Sequence, residues 1–146
     1  MTNNMDGFTL VELLIVIIVV GVLTAVAMPQ YWKTVERSKA NEAIQFFDMT
    51  RAAEDRYNSK YGGYCTIAAG CNGFDFPLPP TLHYFDTFAL AGPAAAPGWS
   101  ATLKRINAPA VYSNYVISVD VSLGGAPVLS CSQPSCMTDL LPVPLN

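Results

Sequence analysis

The stretch GFTLVELLIVIIVVGVLTAVAMPQY, residues 7–31, decides how the rest of the chain is read. From Leu13 to Trp32 there is no charged residue over 20 positions. At about 1.5 Å per residue a helix of that length is about 30 Å long, the thickness of a bilayer core. Glu12 stands at the entrance to this run, Gly21 lies within it and Pro29 near its end. An ionised carboxylate inside a bilayer costs roughly 2.5–3.5 kcal/mol on insertion scales, so Glu12 needs a compensating partner or a place at headgroup level. Pro29 lacks an amide hydrogen, so it is expected to kink the helix or free the carbonyl of Ala25, and Gly21 weakens the same stretch. Ala25-Val26-Ala27 has the small-x-small form of a secretory cleavage site, which makes a soluble secreted binding domain cleaved after Ala27 an alternative.

The composition agrees with a chain that hides apolar surface in a membrane or a partner. Of 146 residues 51% are hydrophobic and only 13% charged, where globular chains average about 25% charged. The length fits one domain plus an appended segment. Net charge is −3 and no Lys/Arg cluster occurs, so the counterion-release term that drives nucleic-acid binding has no source. Four cysteines form two close pairs, Cys65 with Cys71 and Cys131 with Cys136, and beside a membrane-targeting segment they point to disulfides outside the cytoplasm. Three connectivities are open, and loop-closure entropy favours the two local pairings. Neither spacing is Cys-x-x-Cys, and His83 is distant from both pairs in sequence, so no metal site or cofactor is expected. His83 has Asp86 nearby but no glycine-framed serine, and neither a phosphate loop nor a dinucleotide fingerprint appears, which argues against an enzyme.

Lys33 to Tyr57 lacks glycine and proline and is rich in Ala, Glu, Arg and Lys, which predicts a continuing amphipathic helix over 33–60. Ala43, Phe46, Thr50, Ala53 and Tyr57 recur at steps of three and four, one stripe of a 3.6-residue helix, and that stripe is expected to cover a sheet. Glu36 with Lys39, and Asp48 with Arg51, read as solvated surface pairs. Gly62-Gly63 should end the helix, and a loop is expected over 61–83. Four extended runs follow, near Tyr84–Leu90, Trp99–Ile106, Tyr115–Val121 and Val128–Cys131, spaced as an antiparallel meander over 84–131. Residues 131–146, with Pro142 and Pro144, are expected to be an irregular C-terminal loop. The fold class is therefore α+β: a long hydrophobic helix running into an amphipathic one, packed on an antiparallel sheet of about four strands.

In joint register, the glycine before a phenylalanine, Thr9-Leu10, the glutamate four residues after that phenylalanine, the unbroken apolar run, Gly21 and Pro29 resemble the N-terminus of type IV pilins and type II secretion pseudopilins. The likeness extends more loosely over Pro29–Tyr64, where Pro-Gln-Tyr, the amphipathic helix and Tyr-Gly-Gly-Tyr are similar to major-pilin-like chains. The resemblance implies a leader, 1–7, removed between Gly7 and Phe8 by a membrane aspartyl prepilin peptidase that also methylates Phe8. It implies that 8–32 serves as membrane span and then filament core, with 33–146 as the globular head. It further implies that Glu12 neutralises the new amine of Phe8, setting subunit register, and that Gly21 to Pro29 loses helical order in the fibre. Cys131 and Cys136 resemble the C-terminal disulfide-bounded loop of many pilins. Some pseudopilins bind calcium, but Asp75, Asp86 and Asp120 do not form an ordered acidic loop. One departure is that the leader contains Asp6 and no lysine or arginine, leaving topology to Lys33, Arg37 and Lys39. The implied partners are further copies of the chain in a helical filament, an assembly platform and minor pilins. The implied location is the inner membrane and then an extracellular pilus serving adhesion, twitching motility or DNA uptake, with a type II secretion pseudopilin as the alternative.

Overall fold

With no glycine or proline from Gln30 to Tyr61, the apolar segment runs on into the amphipathic one as a single 52-residue helix, α1 (Leu10–Tyr61), which includes Pro29. The computed structural model describes residues 8–67, 71–78, 81–92, 97–122 and 125–141. Gly7, Pro142 and Pro144 lie outside them. The chain divides into two compact units, Met1–Val35 and Glu36–Asn146. In the first, side chains from Phe8 to Trp32 are exposed.

In the second unit, α1 buries Glu36, Ala40, Ala43, Phe46, Phe47, Thr50, Ala53 and Glu54, a stripe at helical spacing. The expected inner residues Ala43, Phe46, Thr50 and Ala53 are on it, and Tyr57 is half-buried against the same core. Glu36 corrects the sequence reading. It is not a solvated partner of Lys39 but is 0% exposed. The helix ends where Gly62 adopts φ 74° and its N–H reaches the Asn58 carbonyl at 2.8 Å. Such a left-handed residue is accessible to glycine without a Cβ penalty.

Four strands follow: β1 (Phe85–Ala91), β2 (Gly98–Arg105), β3 (Val116–Ser122) and β4 (Val128–Cys131). They form one sheet in the order β1-β2-β3-β4 with antiparallel neighbours, the meander that the turn spacing predicted. Alternation sends Trp99, Ala101, Leu103 and Arg105 of β2 inward with Ile117, Val119 and Val121 of β3, as a period of two requires. Phe85 and Phe88 are three apart yet both pack on the core, because the β1 register shifts between Asp86 and Ala89. Phe46 meets Phe88 edge-on at 5.3 Å and Phe76 at 5.4 Å. Such aromatic pairs contribute beyond their buried area.

Two close approaches complete this unit. A Cβ on Gly98 would run into the Val121 carbonyl, so Gly98→Ala is expected to destabilise the fold by about 1–3 kcal/mol through overpacking. A midpoint shift in chemical denaturation checks it, and an unchanged midpoint would mean that the β2–β3 spacing relaxes freely. Both disulfides take the local pairing, Cys65–Cys71 and Cys131–Cys136, with Cα atoms 5.7 and 6.1 Å apart. Within the stretch expected as an irregular loop, residues 134–139 form a short helix, α2 (Pro134–Asp139). Proline at its first turn has no amide to waste and a pre-set φ. The Arg37 guanidinium donates to the Asp139 carbonyl at 2.7 and 3.1 Å, tying the end of α2 to α1.

Candidate functional site

The first turn of α1 is built by Thr9 and Glu12. Glu12 Oε2 accepts the Thr9 backbone N–H at 2.9 Å and the Thr9 hydroxyl at 2.8 Å, while Thr9 Oγ1 accepts the Glu12 backbone N–H at 3.2 Å. This reciprocal arrangement is a capping box, which satisfies donors that a helix start leaves open. The sequence reading quoted Thr9 only as part of the N-terminal motif and missed its capping role, although the Thr-x-x-Glu spacing before an apolar run is the signal for it. Glu12 therefore belongs structurally to the residue next to Phe8, whose side chain is 82% exposed.

Beyond that turn, α1 contains an 18-residue window of mean hydropathy 2.9, long and apolar enough to cross a membrane. Leu13, Ile17, Val20 and Leu23 are all exposed in this unit. Thr24, lying between Gly21 and Pro29, folds its hydroxyl back onto the Val20 and Gly21 carbonyls at 2.9 and 3.0 Å. Its polar group is thereby satisfied inside an apolar stretch. A Cβ on Gly21 would meet nothing within 4 Å.

The second unit holds a buried polar cluster. Arg105 is 1% exposed and Tyr115 and Glu36 are 0% exposed. Arg105 donates to Glu36 through Nε at 2.6 Å and Nη2 at 3.2 Å, and Tyr115 donates its phenol proton to Glu36 Oε1 at 3.1 Å. Arg105 Nη1 also donates to the Tyr84 and Ile106 carbonyls. Burial first, then the Glu36 charge, holds the Tyr115 phenol well above its ordinary range, so it remains a donor. The cluster joins α1 to β2 and to the start of β3. Its signal in the sequence was Arg105 standing on the inward alternation of β2.

His83 and Asp75, singled out from sequence, lie beside two carboxylate contacts that fasten loops to α1. Glu42 accepts the His83 and Tyr84 backbone N–H groups at 2.8 and 3.0 Å. His83 is 89% exposed with Nδ1 3.5 Å from Glu42, so its neighbour is a structural carboxylate. Asp75 is held by Arg56 at 2.7 and 3.0 Å, which lowers its pKa and raises that of Arg56. Among the described residues, no three His, Cys, Asp or Glu side chains gather as a metal site would need.

Residues 2–28 match the prokaryotic N-terminal methylation motif. The chain is 32% identical over 89 residues to the prepilin peptidase-dependent protein D of Escherichia coli (strain K12), covering 61% of this chain and 60% of that protein. It is 40% identical over 73 residues to the fimbrial protein EcpC of Eikenella corrodens, covering 46% and 48%. It is 40% identical over 62 residues to the type IV major pilin protein PilE1 of Neisseria gonorrhoeae, covering 42% and 38%. The chain thus spans 60% or less of the length of these relatives. No solved structure matches it. The matched motif takes in the first part of the apolar stretch of α1, and the second unit is α+β with a four-stranded antiparallel sheet, a pilin-like arrangement in a chain similar to type IV pilins.

Proposed function

We infer that the chain is a non-enzymatic structural subunit of a type IV pilus-like filament, anchored in the inner membrane as a precursor and then polymerised through residues 8–32. The observation that carries this reading is the exposed apolar surface from Phe8 to Trp32, most of which lies within the methylation motif matched over residues 2–28. Apolar side chains that lack cover within the chain take it from lipid first and from neighbouring copies of the same helix afterwards, where close packing and dispersion replace lipid contacts. In this reading the leader is cut between Gly7 and Phe8, and Phe8 is methylated. The new cationic amine lies one residue from the amide that Glu12 already binds, so the carboxylate offsets that charge within the subunit or on its neighbour. The names of the relatives, a fimbrial protein and a major pilin among them, favour a fibre over a secretion pseudopilin.

The test is the N-terminal residue and intact mass of protein sheared from the cell surface. The expected product begins at methylated Phe8. A product beginning at Met28 would mean a soluble domain released after Ala27, and the assembly roles of Phe8, Glu12 and Gly21 would have to be abandoned.

A further inference from the structure

Glu54 lies on the buried stripe of α1 near its C-terminal end and is 0% exposed. Its Oε2 accepts the Cys65 backbone N–H at 2.9 Å. Its Oε1 is buried with no hydrogen-bond partner among the described residues. Cys65 is itself fully buried and bonded to Cys71. Such a carboxyl is unequal in its two protonation states. Neutral, it leaves one polar oxygen without a partner; ionised, it leaves a charge removed from water that a single amide must offset. Burial raises the pKa from 4.5 to about 7, the Cys65 amide opposes the rise, and Asp55 adds to it by repulsion.

The charged residues next to Glu54 in sequence on α1 are Arg51, Asp55 and Arg56; Asp55 repels the carboxylate, and Arg56 is held by Asp75 from the loop that follows. Residues 62–67, GGYCTI, carry no charged side chain. On the sheet, Asp86, Lys104 and Asp120 are exposed, and Arg105 is bound to Glu36.

We propose that Glu54 and the Cys65 amide form a proton-operated latch. With the carboxyl neutral, residues 62–67 and their disulfide stay seated on the end of α1; with it ionised, they lift and water reaches the carboxylate. In the unfolded chain this glutamate titrates near 4.5, so the latch is at full strength below that pH, weakens as pH climbs and is lost through about 7. This device is independent of whether the chain forms a filament.

The experiment uses the full chain in detergent micelles and reduces its two disulfides with a water-soluble phosphine from roughly pH 5.5 to 8.5, spanning the release. Cys131–Cys136, in the same molecule, serves as the reference. The ratio of Cys65–Cys71 to Cys131–Cys136 reduction rates is expected to rise about tenfold across that range, because reduction follows local opening. In Glu54→Gln, which keeps an oxygen for the Cys65 amide and carries no charge, the ratio should stay level. A constant ratio in the parent chain, or the same rise in Glu54→Gln, overturns the proposal. If the variant does not fold, carbon-13 titration of the parent Glu54 carboxyl decides. A midpoint near 7 accompanied by loss of Cys65 amide protection supports the latch, and an ordinary carboxylate midpoint or unchanged protection refutes it.

Discussion

Arg105→Ala is expected to lower the unfolding free energy of the unit beginning at Glu36 by about 3–5 kcal/mol, the range observed when one partner of a buried ion pair is removed. The substitution would leave the Glu36 carboxylate, 0% exposed in the parent, with the Tyr115 phenol at 3.1 Å and the Lys39 ammonium at 3.7 Å as its partners among the described residues. It would also take the Nη1 donor from the Ile106 carbonyl, while the Tyr84 carbonyl keeps the Ile106 N–H at 3.1 Å. The double variant Glu36→Met with Arg105→Leu separates the charge from the space it fills. Apolar replacement of a whole buried pair is commonly neutral or stabilising, so this double variant should recover part of the loss, the rest staying with the buried Tyr115 hydroxyl that loses Glu36 as acceptor. Denaturant unfolding followed at the buried Trp99 measures both. A single variant within about 1 kcal/mol of the parent would show that water or a backbone shift relieves the charge, and the cluster would lose its place as the joint between α1 and the sheet.

Glu12→Ala is expected to leave processing at Phe8 and membrane insertion intact while lowering filament yield roughly a hundredfold. The magnitude comes from the unpaired amine. A charge left without its counter-charge in an apolar assembly costs roughly 2.5–3.5 kcal/mol, and each 1.4 kcal/mol is a factor of ten. The capping box complicates a simple alanine test, since Ala also removes the acceptor for the Thr9 N–H and hydroxyl. Glu12→Gln resolves this, because its carbonyl oxygen can still accept from Thr9 but brings no charge. Both variants should fail to assemble while yielding the same mature N-terminus. Normal fibres from Glu12→Gln would show that the cap is what matters and that pairing with the amine of Phe8 is the wrong account.

Much of the fold was legible because its determinants are local or periodic. A long uncharged run, a stretch without glycine or proline, and Gly62-Gly63 specify where α1 runs and where it stops. Gly98 and the spacing of β-branched runs place four strands within a residue or two of their observed ends. The inner stripe was read correctly at Ala43, Phe46, Thr50 and Ala53. Its two ends were not, because the same three-and-four steps reach Ala40 and Glu36 in one direction and Glu54 in the other. A carboxylate on a stripe is ordinarily taken as the point where the stripe ends. The capping role of Thr9 was passed over for the opposite reason: attention went to the charge of Glu12 and not to its spacing from a hydroxyl.

By itself, then, the sequence determined the membrane-length helix, the α+β order of elements and the two cysteine pairs as candidates for local closure, because each depends on neighbours a few residues apart. Only the tertiary structure decided that Glu36 is bound by Arg105 and Tyr115, 69 and 79 residues away. It also decided that Glu54 is sealed under Cys65 and that Arg37 holds α2 across 102 residues. All three join residues far apart in sequence, and for the two buried carboxylates the physical reason is the same. Whether a charged side chain is solvated or buried depends on which distant surface covers it, and no local pattern encodes that cover.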